Sequence, residues 1–339
     1  MDTTNITNGI GKSQERREDF RFLTGAGSYI DDMNLDGQAY ATVLRSPEAH
    51  ADVSSIDITE ALALDGVLAI ITGEDWKVAG YNPIPTKSAV RKAIDGSDLK
   101  EPPHHPLAID RVRYVGQPVA LVVAESIDVC KDAMELIDVD YDSLPSVSHQ
   151  SEAIKDGAPQ IWDIAPNNIC LDFELGDQKA QKKAFSEADH IVTLNLVNNR
   201  VTAVPIEPRG ALASYDAGTG KYTLWNASQN IHAGRDTIAD AVLGIGKENL
   251  HHIAPDVGGG FGVKNGVYPE PILILHATKL LERPVKWFND RSESFLSDTH
   301  GRDQVSTVQL ALDKDGTFRG LRTETVGNLG AFCATVGPF

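Results

Sequence analysis

Residues 255–264 read Pro-Asp-Val-Gly-Gly-Gly-Phe-Gly-Val-Lys, with four glycines in the five positions 258–262. Glycine adopts backbone conformations closed to other residues and lets the main chain approach a ligand closely. The stretch before it, 249–254, reads as a short strand. The stretch after it, 270–281, reads as a helix with apolar residues at Ile272, Leu273, Leu275, Leu280 and Leu281. A loop feeding a helix in this way aims free N–H groups at an oxygen-rich group. The spacing is not that of a dinucleotide fingerprint, because Val263 stands where the last glycine belongs. It is not a P-loop either, because Lys264 is followed by Asn265. On these residues alone a ligand-holding loop and a plain strand-to-helix turn stay open in equal measure. Lys264 could neutralise a phosphate or face solvent. His104-His105 point in diverging directions as neighbours, and His251-His252 alternate across a strand, so only one of the latter can face the loop. No nucleophile–base constellation of the hydrolase type is visible.

The elements that must position this loop fall into two parts. In the first, 66–73 and 117–124 read as apolar strands, the second apolar enough to be buried on both faces. Ser126 caps a helix running to about residue 137, and Val139-Asp140-Tyr141 resumes a strand. Residues 77–106, with five prolines and little periodicity, read as a long surface excursion. In the second part, 210–215 and 221–226 form a hairpin, 231–243 an amphipathic helix, 284–288 a strand, and 305–312 and 317–326 another hairpin. The turn Asp313-Lys314-Asp315-Gly316 lacks the other ligands of a calcium loop, so it reads as a hairpin turn. Phe261, taken by itself, reads as a core aromatic, and Gln229 as an exposed polar residue opening a helix.

Composition narrows the class. The chain has 339 residues, 41% hydrophobic and 23% charged, as expected of a globular protein. A net charge of −17 argues against nucleic acid and anionic membrane as partners. Cys130, Cys170 and Cys333 lie far apart in sequence and form no disulfide framework, zinc site or iron–sulfur motif. With no secretory signal and no apolar run of membrane-spanning length, a cytoplasmic location is expected. The last ten residues are small and apolar, which reads as a chain interrupted inside a domain.

Several ordered motifs resemble the molybdopterin-binding large subunits of the xanthine oxidase family, most of all its aerobic carbon-monoxide-dehydrogenase branch. They include Arg17-Glu18-Asp19, Leu23-Thr24-Gly25, Tyr29-Ile30-Asp31-Asp32 and Arg45-Ser46-Pro47-Glu48-Ala49-His50-Ala51, and then Tyr114-Val115-Gly116-Gln117-Pro118. Further on come Glu207-Pro208-Arg209-Gly210, Ser228-Gln229, the glycine loop, Tyr268-Pro269-Glu270, Arg283-Pro284-Val285-Lys286-Trp287 and Asp290-Arg291-Ser292-Glu293. The resemblance implies an α+β chain. It would have an N-terminal arm over 1–18, a small α/β hammerhead domain over 19–145 and a linker over 146–168. The first, incomplete part of a molybdopterin-binding domain would follow over 169–339.

The resemblance also implies chemistry. Gly259, Gly260, Phe261 and Gly262 would line a molybdenum–molybdopterin cofactor, in its cytosine dinucleotide form, and Gln229 would aim its amide at an oxo ligand. An amide donor suits such a group because it adds no charge. The implied reaction is oxidative hydroxylation of an aldehyde, an N-heterocycle or a CO-type substrate, with electrons leaving through an iron–sulfur [2Fe-2S] subunit to a FAD subunit. Asn265 stands where the purine-oxidising branch has an acidic residue, which argues against a purine. The family's general-base glutamate would lie beyond Phe339, so this chain supplies no catalytic residue of its own and is expected to be inactive alone. The rest of the large subunit would be fused in a longer frame or carried by a second polypeptide. Two other readings are a non-catalytic remnant or assembly module without cofactor, and an unrelated α+β protein whose glycine loop holds a phosphate-bearing ligand.

Overall fold

The computed structural model describes residues 13 and 15–334. The arm over 1–18 therefore lies largely outside the described residues, as does the end of the chain from 335 to 339. Thirteen strands are present among the described residues: β1 Ala39–Arg45, β2 Ala51–Asp57, β3 Val67–Thr72, β4 Arg111–Val112, β5 Pro118–Ala124, β6 Asp138–Ser143 and β7 His190–Asn198, then β8 Gly210–Asp216, β9 Lys221–Asn226, β10 Leu250–Ile253, β11 Val285–Phe288, β12 Gln304–Leu312 and β13 Phe318–Gly327.

The main sheet has seven strands in the order β10-β9-β8-β11-β1-β5-β3. Between β1 and β3 lies β5, whose seven residues Pro-Val-Ala-Leu-Val-Val-Ala are all buried, as a run without polar alternation requires. Strands from the early part (β1, β3, β5) and from the later part (β8 to β11) are joined by the parallel pairing of β1 with β11, with Ala39 opposite Val285 and Ala41 opposite Trp287. One sheet thus runs through both segments of the chain. Against it lies the helix Pro269–Leu281, in which Ile272, Leu273, Ile274 and Leu275 are all buried. Each such side chain contributes about 1.5–3 kcal/mol by leaving water. Proline opens this helix at a position whose N–H has no helical partner, and Glu282 in the left-handed region closes it ahead of Pro284.

Two smaller sheets flank the main one, β4-β2-β6 and β13-β12-β7. The helix Gln178–Glu187 packs on the second of these, where Gly320 lies against Ala184 and Phe185. That helix and β7 escape the sequence reading. The helix carries three lysines and no buried residue, so its apolar stripe is too thin to register.

Elsewhere the expected elements are present with small changes of boundary. Ser126 accepts a hydrogen bond from the Val129 N–H and caps the helix Ile127–Glu135. The helix expected over 231–243 is α-helical for Ile231–Asp236 and widens to a π-helix over Thr237–Leu243 before Gly244 ends it. The excursion expected over 77–106 is corrected. It begins inside the helix Gly73–Ala79, and its apolar residues Ile84 and Leu99 are buried, because a backbone bridge of Ile84 to His104 folds the segment back onto the core. No helix among the described residues is long and apolar enough to cross a membrane.

Candidate cofactor-binding loop and its buried ion network

The glycine loop leaves β10 and is shaped by side chains that reach it from other segments. Asp256 binds Arg21 in a two-pronged ion pair and accepts the Ser28 N–H at 2.8 Å, which ties the loop to the N-terminal segment. Gly259 has φ +102°, a conformation that a side chain would strain. A Cβ at Gly260 would overlap the carboxamide of Gln229, so only glycine permits this approach. Phe261 takes φ +50° and is 78% exposed. The expectation of a core aromatic fails here: the ring stands on the surface, from a backbone conformation uncommon for a residue with a Cβ.

Gln229 is exposed and does precede a helix, but its side chain is engaged. Its Oε1 accepts from Gly262 N–H at 3.0 Å and from Lys264 N–H at 3.2 Å, and its own N–H donates to Lys264 O at 3.0 Å. Two donors converging on one atom identify that atom as the oxygen, so Nε2 is turned away from these contacts. Nε2 makes no hydrogen bond among the described residues, and neither do the backbone N–H groups of Gly259, Gly260 and Phe261. The structure therefore brings Gln229 and residues 259–262 together, with four neutral donors uncommitted.

Lys264 does not face solvent and is not available to a phosphate. Its ammonium is buried and donates to Glu207 Oε2 at 2.9 Å. Burial pulls its pKa down, and the bond to Glu207 opposes that pull. The same Glu207 oxygen accepts from Gly258 N–H at 2.7 Å, so one carboxylate fixes both ends of the loop, while its Oε1 is buried without a partner among the described residues. Sequence reasoning leaves Glu207 without a role.

Behind this pair lies a network of buried charge. Arg209 donates to Glu270 and to Asp298, each at 2.6 Å, and its guanidinium sits 3.8 Å from the centre of the Tyr268 ring. Arg45 on β1 bridges Glu270 at 2.7 Å and Glu293 at 2.6 Å. Burial alone would raise the Glu270 carboxyl, but Arg209 and Arg45 outweigh it and hold the pKa down at about 2. Glu293, by contrast, is pushed up by burial, against the pull of Arg45. Tyr268 connects the network to the loop by donating to Val263 O at 2.7 Å. A signal for this cluster exists in the sequence: Glu270 is an ionisable residue at the head of an otherwise apolar helix, a position that demands buried partners.

The other candidates have structural roles. His252 is buried, with Nδ1 on Ile231 O at 3.1 Å and a pKa lowered by burial to about 4, while His251 is exposed. A cavity of about 20 Å³, room for one water molecule, lies beside His252, Lys264, Tyr268 and Trp287. His104 stacks on Phe332 with 4.5 Å between ring centres. Among the described residues no group of three or more His, Cys, Asp or Glu side chains is arranged to hold a metal ion. Cys170 and Cys333 are both free cysteines.

With this geometry in place, comparison with known proteins is decisive. Residues 161–339 match the molybdopterin cofactor-binding domain, and residues 24–145 match the a/b hammerhead domain of aldehyde oxidase and xanthine dehydrogenase. The chain belongs to the molybdopterin-binding family of these enzymes. It is 37% identical to the nicotine 6-hydroxylase large subunit of Paenarthrobacter nicotinovorans, over 96% of this chain and 39% of that protein. It is 33% identical to the carbon monoxide dehydrogenase large chain of Afipia carboxidovorans, over 97% of this chain and 41% of that protein. The solved structure of reconstituted CO dehydrogenase from Oligotropha carboxidovorans superimposes with a TM-score of 0.84 at 32% identity, covering 93% of this chain and 39% of that one. The chain thus spans about two fifths of the length of the relatives it matches.

For this family member the motifs acquire a physical meaning. Arg45, Glu207, Arg209, Tyr268, Glu270 and Glu293, which carry the resemblance, are partners of one another or of the glycine loop.

Proposed function

We propose that this chain forms one wall of the molybdenum–molybdopterin site of a molybdenum hydroxylase large subunit, as the N-terminal part of that subunit. The observation that carries the reading is the division of labour in Gln229: its oxygen is committed to the loop, while its Nε2 stands uncommitted beside the N–H groups of residues 259–261. Four neutral donors on a rigid loop suit an electron-rich, oxygen-bearing group, because they stabilise charge without supplying a competing ligand. The exposed Phe261 ring offers a flat apolar surface for the cofactor to pack against. Lys264 and Glu207 act as positioning residues that hold the loop from beneath.

When bound, the cofactor would supply two-electron oxidation with oxygen transfer to an electron-poor substrate of the aldehyde, N-heterocycle or CO type. The cytosine dinucleotide form follows the branch that the chain most resembles. Electrons would pass to [2Fe-2S] and FAD subunits, in the cytoplasm. The general base and the remaining cofactor loops would come from the rest of the large subunit, so the chain alone is expected to be inactive. Asn265 after Lys264 favours a non-purine substrate.

The test is molybdenum per mole of chain in a complex isolated from the native host through a tag on this protein. A value near one, with iron and flavin in the same complex, supports the reading. Absence of molybdenum from an otherwise folded complex favours the remnant or assembly-module alternative.

A further inference from the structure

The three-stranded sheet β13-β12-β7 has one covered face and one open face. Its register assigns the sides. Ala311, Gly320 and Arg322 fall on the side of the helix Gln178–Glu187, where Gly320 touches Ala184 and Arg322 lies 4.8 Å from the Phe185 ring centre. The opposite side carries Val192, Leu194 and Leu196 from β7, Val308 and Leu310 from β12, and Leu321 from β13, aligned in cross-strand rows. The β7 residues and Leu321 of that set are 45–62% exposed. The other positions of this side include Ser306, Thr323 and Thr325, with Ser306 and Thr325 bonded across the strands at 2.8 Å, and His190 opposite Leu312 at one end.

Two features mark this as an interface. In a chain of net charge −17, the cross-strand rows of the open face from Gln304 to Leu310 carry no Asp, Glu, Lys or Arg. Its outer strand β7, His-Ile-Val-Thr-Leu-Asn-Leu-Val-Asn, is exposed along its whole length and lacks the lysine, proline or bulge with which free edges are normally blunted. A sheet with an apolar face is stable when a second layer buries that face. Two relatives say how much polypeptide is available: this chain spans 39% of the nicotine 6-hydroxylase large subunit and 41% of the carbon monoxide dehydrogenase large chain, leaving in each a segment longer than the chain itself.

We infer that the open face of β7, β12 and β13 is the docking surface for the polypeptide that completes the large subunit. The inference rests on the reading of this chain as part of such a subunit, and goes beyond it by naming the surface.

The experiment is co-production of this chain with the segment from the same organism that corresponds to the remaining part of the relatives' length, followed by amide hydrogen exchange and affinity measurement. Exchange across residues 191–197 should slow at least about tenfold in the complex, relative to the chain alone. Leu194→Glu should weaken the complex by about tenfold or more, the scale of an interface anchor. It should leave the circular dichroism and melting temperature of the isolated chain unchanged, since Leu194 is already exposed. Val78→Glu, at an equally exposed apolar site remote from this sheet, should bind as wild type. A complex that forms with residues 191–197 exchanging as before, and with Leu194→Glu binding normally, overturns the surface while leaving the functional reading intact. No complex at all removes the reading and this inference with it. Self-association of the isolated chain abolished by Leu194→Glu, with the completing polypeptide bound elsewhere, would assign the face to a second copy and also overturn the proposal.

Discussion

The two largest sheets treat polar and apolar groups in opposite ways. The seven-stranded sheet region buries six charged side chains near the glycine loop (Arg45, Arg209, Lys264, Glu207, Glu270 and Asp298) and pairs every one of them. The three-stranded sheet holds no buried ion pair and leaves a row of valine and leucine in water. The first region has its partners within this chain, so the geometry of the loop is already set. The second has its partner outside the described residues. On the proposed reading, a prearranged half-site is joined to a face that the rest of the large subunit would cover.

The sharpest way to break the comparison is Glu270→Gln, which leaves Arg45 and Arg209 buried with too little countercharge. Removing one partner from a buried ionic cluster costs about 3–5 kcal/mol, and chemical denaturation should register it. A loss below about 1 kcal/mol would mean that the cluster is solvated and the contrast between the sheets false.

The next effect comes from pH. His252, lowered from its ordinary 6.5 to about 4, is neutral when folded and takes up a proton on unfolding. A group with a depressed folded pKa contributes stability that is complete above its unfolded value and lost as pH falls. The chain should therefore lose about 1.4 kcal/mol per pH unit from this residue between 6.5 and 4. Glu270, held at about 2, should add its own loss below 4.5. His104, lowered to about 4 by burial as well, acts in the same window, so His252→Gln should reduce the slope of the upper window and leave the lower one.

Gly260→Ala sets a methyl group against the Gln229 carboxamide. Overpacking of this kind costs about 1–3 kcal/mol, and molybdenum content of the assembled complex should fall more steeply than stability does. Gln229→Ala, which removes the acceptor for two loop amides, should cost about 1 kcal/mol and also lower molybdenum retention. Leu194→Glu should change the stability of the isolated chain by no more than about 0.5 kcal/mol, because the sheet that bears it has nothing on that face to lose.

Much of the architecture is legible in the sequence because it depends on local pattern. The run 118–124 is apolar throughout and becomes a strand buried along its whole length. The helix over 269–281 is announced by its apolar residues and by proline at its start. The hairpins turn where Asp and Gly cluster. What escapes is weakly patterned: the lysine-rich helix Gln178–Glu187 and the strand β7, whose apolar residues lack the second layer that would show them to be core-facing. The fold of 77–106 onto the core is hidden as well, since proline-rich segments look alike in sequence whether or not a bridge pins them.

For the candidate site, sequence alone determined that residues 258–262 make a glycine-rich turn between strand and helix, and that motif order places the chain in its family. Those features reside in residue types and local spacing. Tertiary structure alone decided that Lys264 is committed to Glu207, that Phe261 stands in the open, and that Gln229 turns its oxygen inward and its nitrogen outward. It also decided that Arg45 and Glu270, which are 225 positions apart, share one buried cluster. The reason is that a charge becomes a buried partner only when its countercharge arrives through the packing of another segment, and no local pattern encodes that meeting.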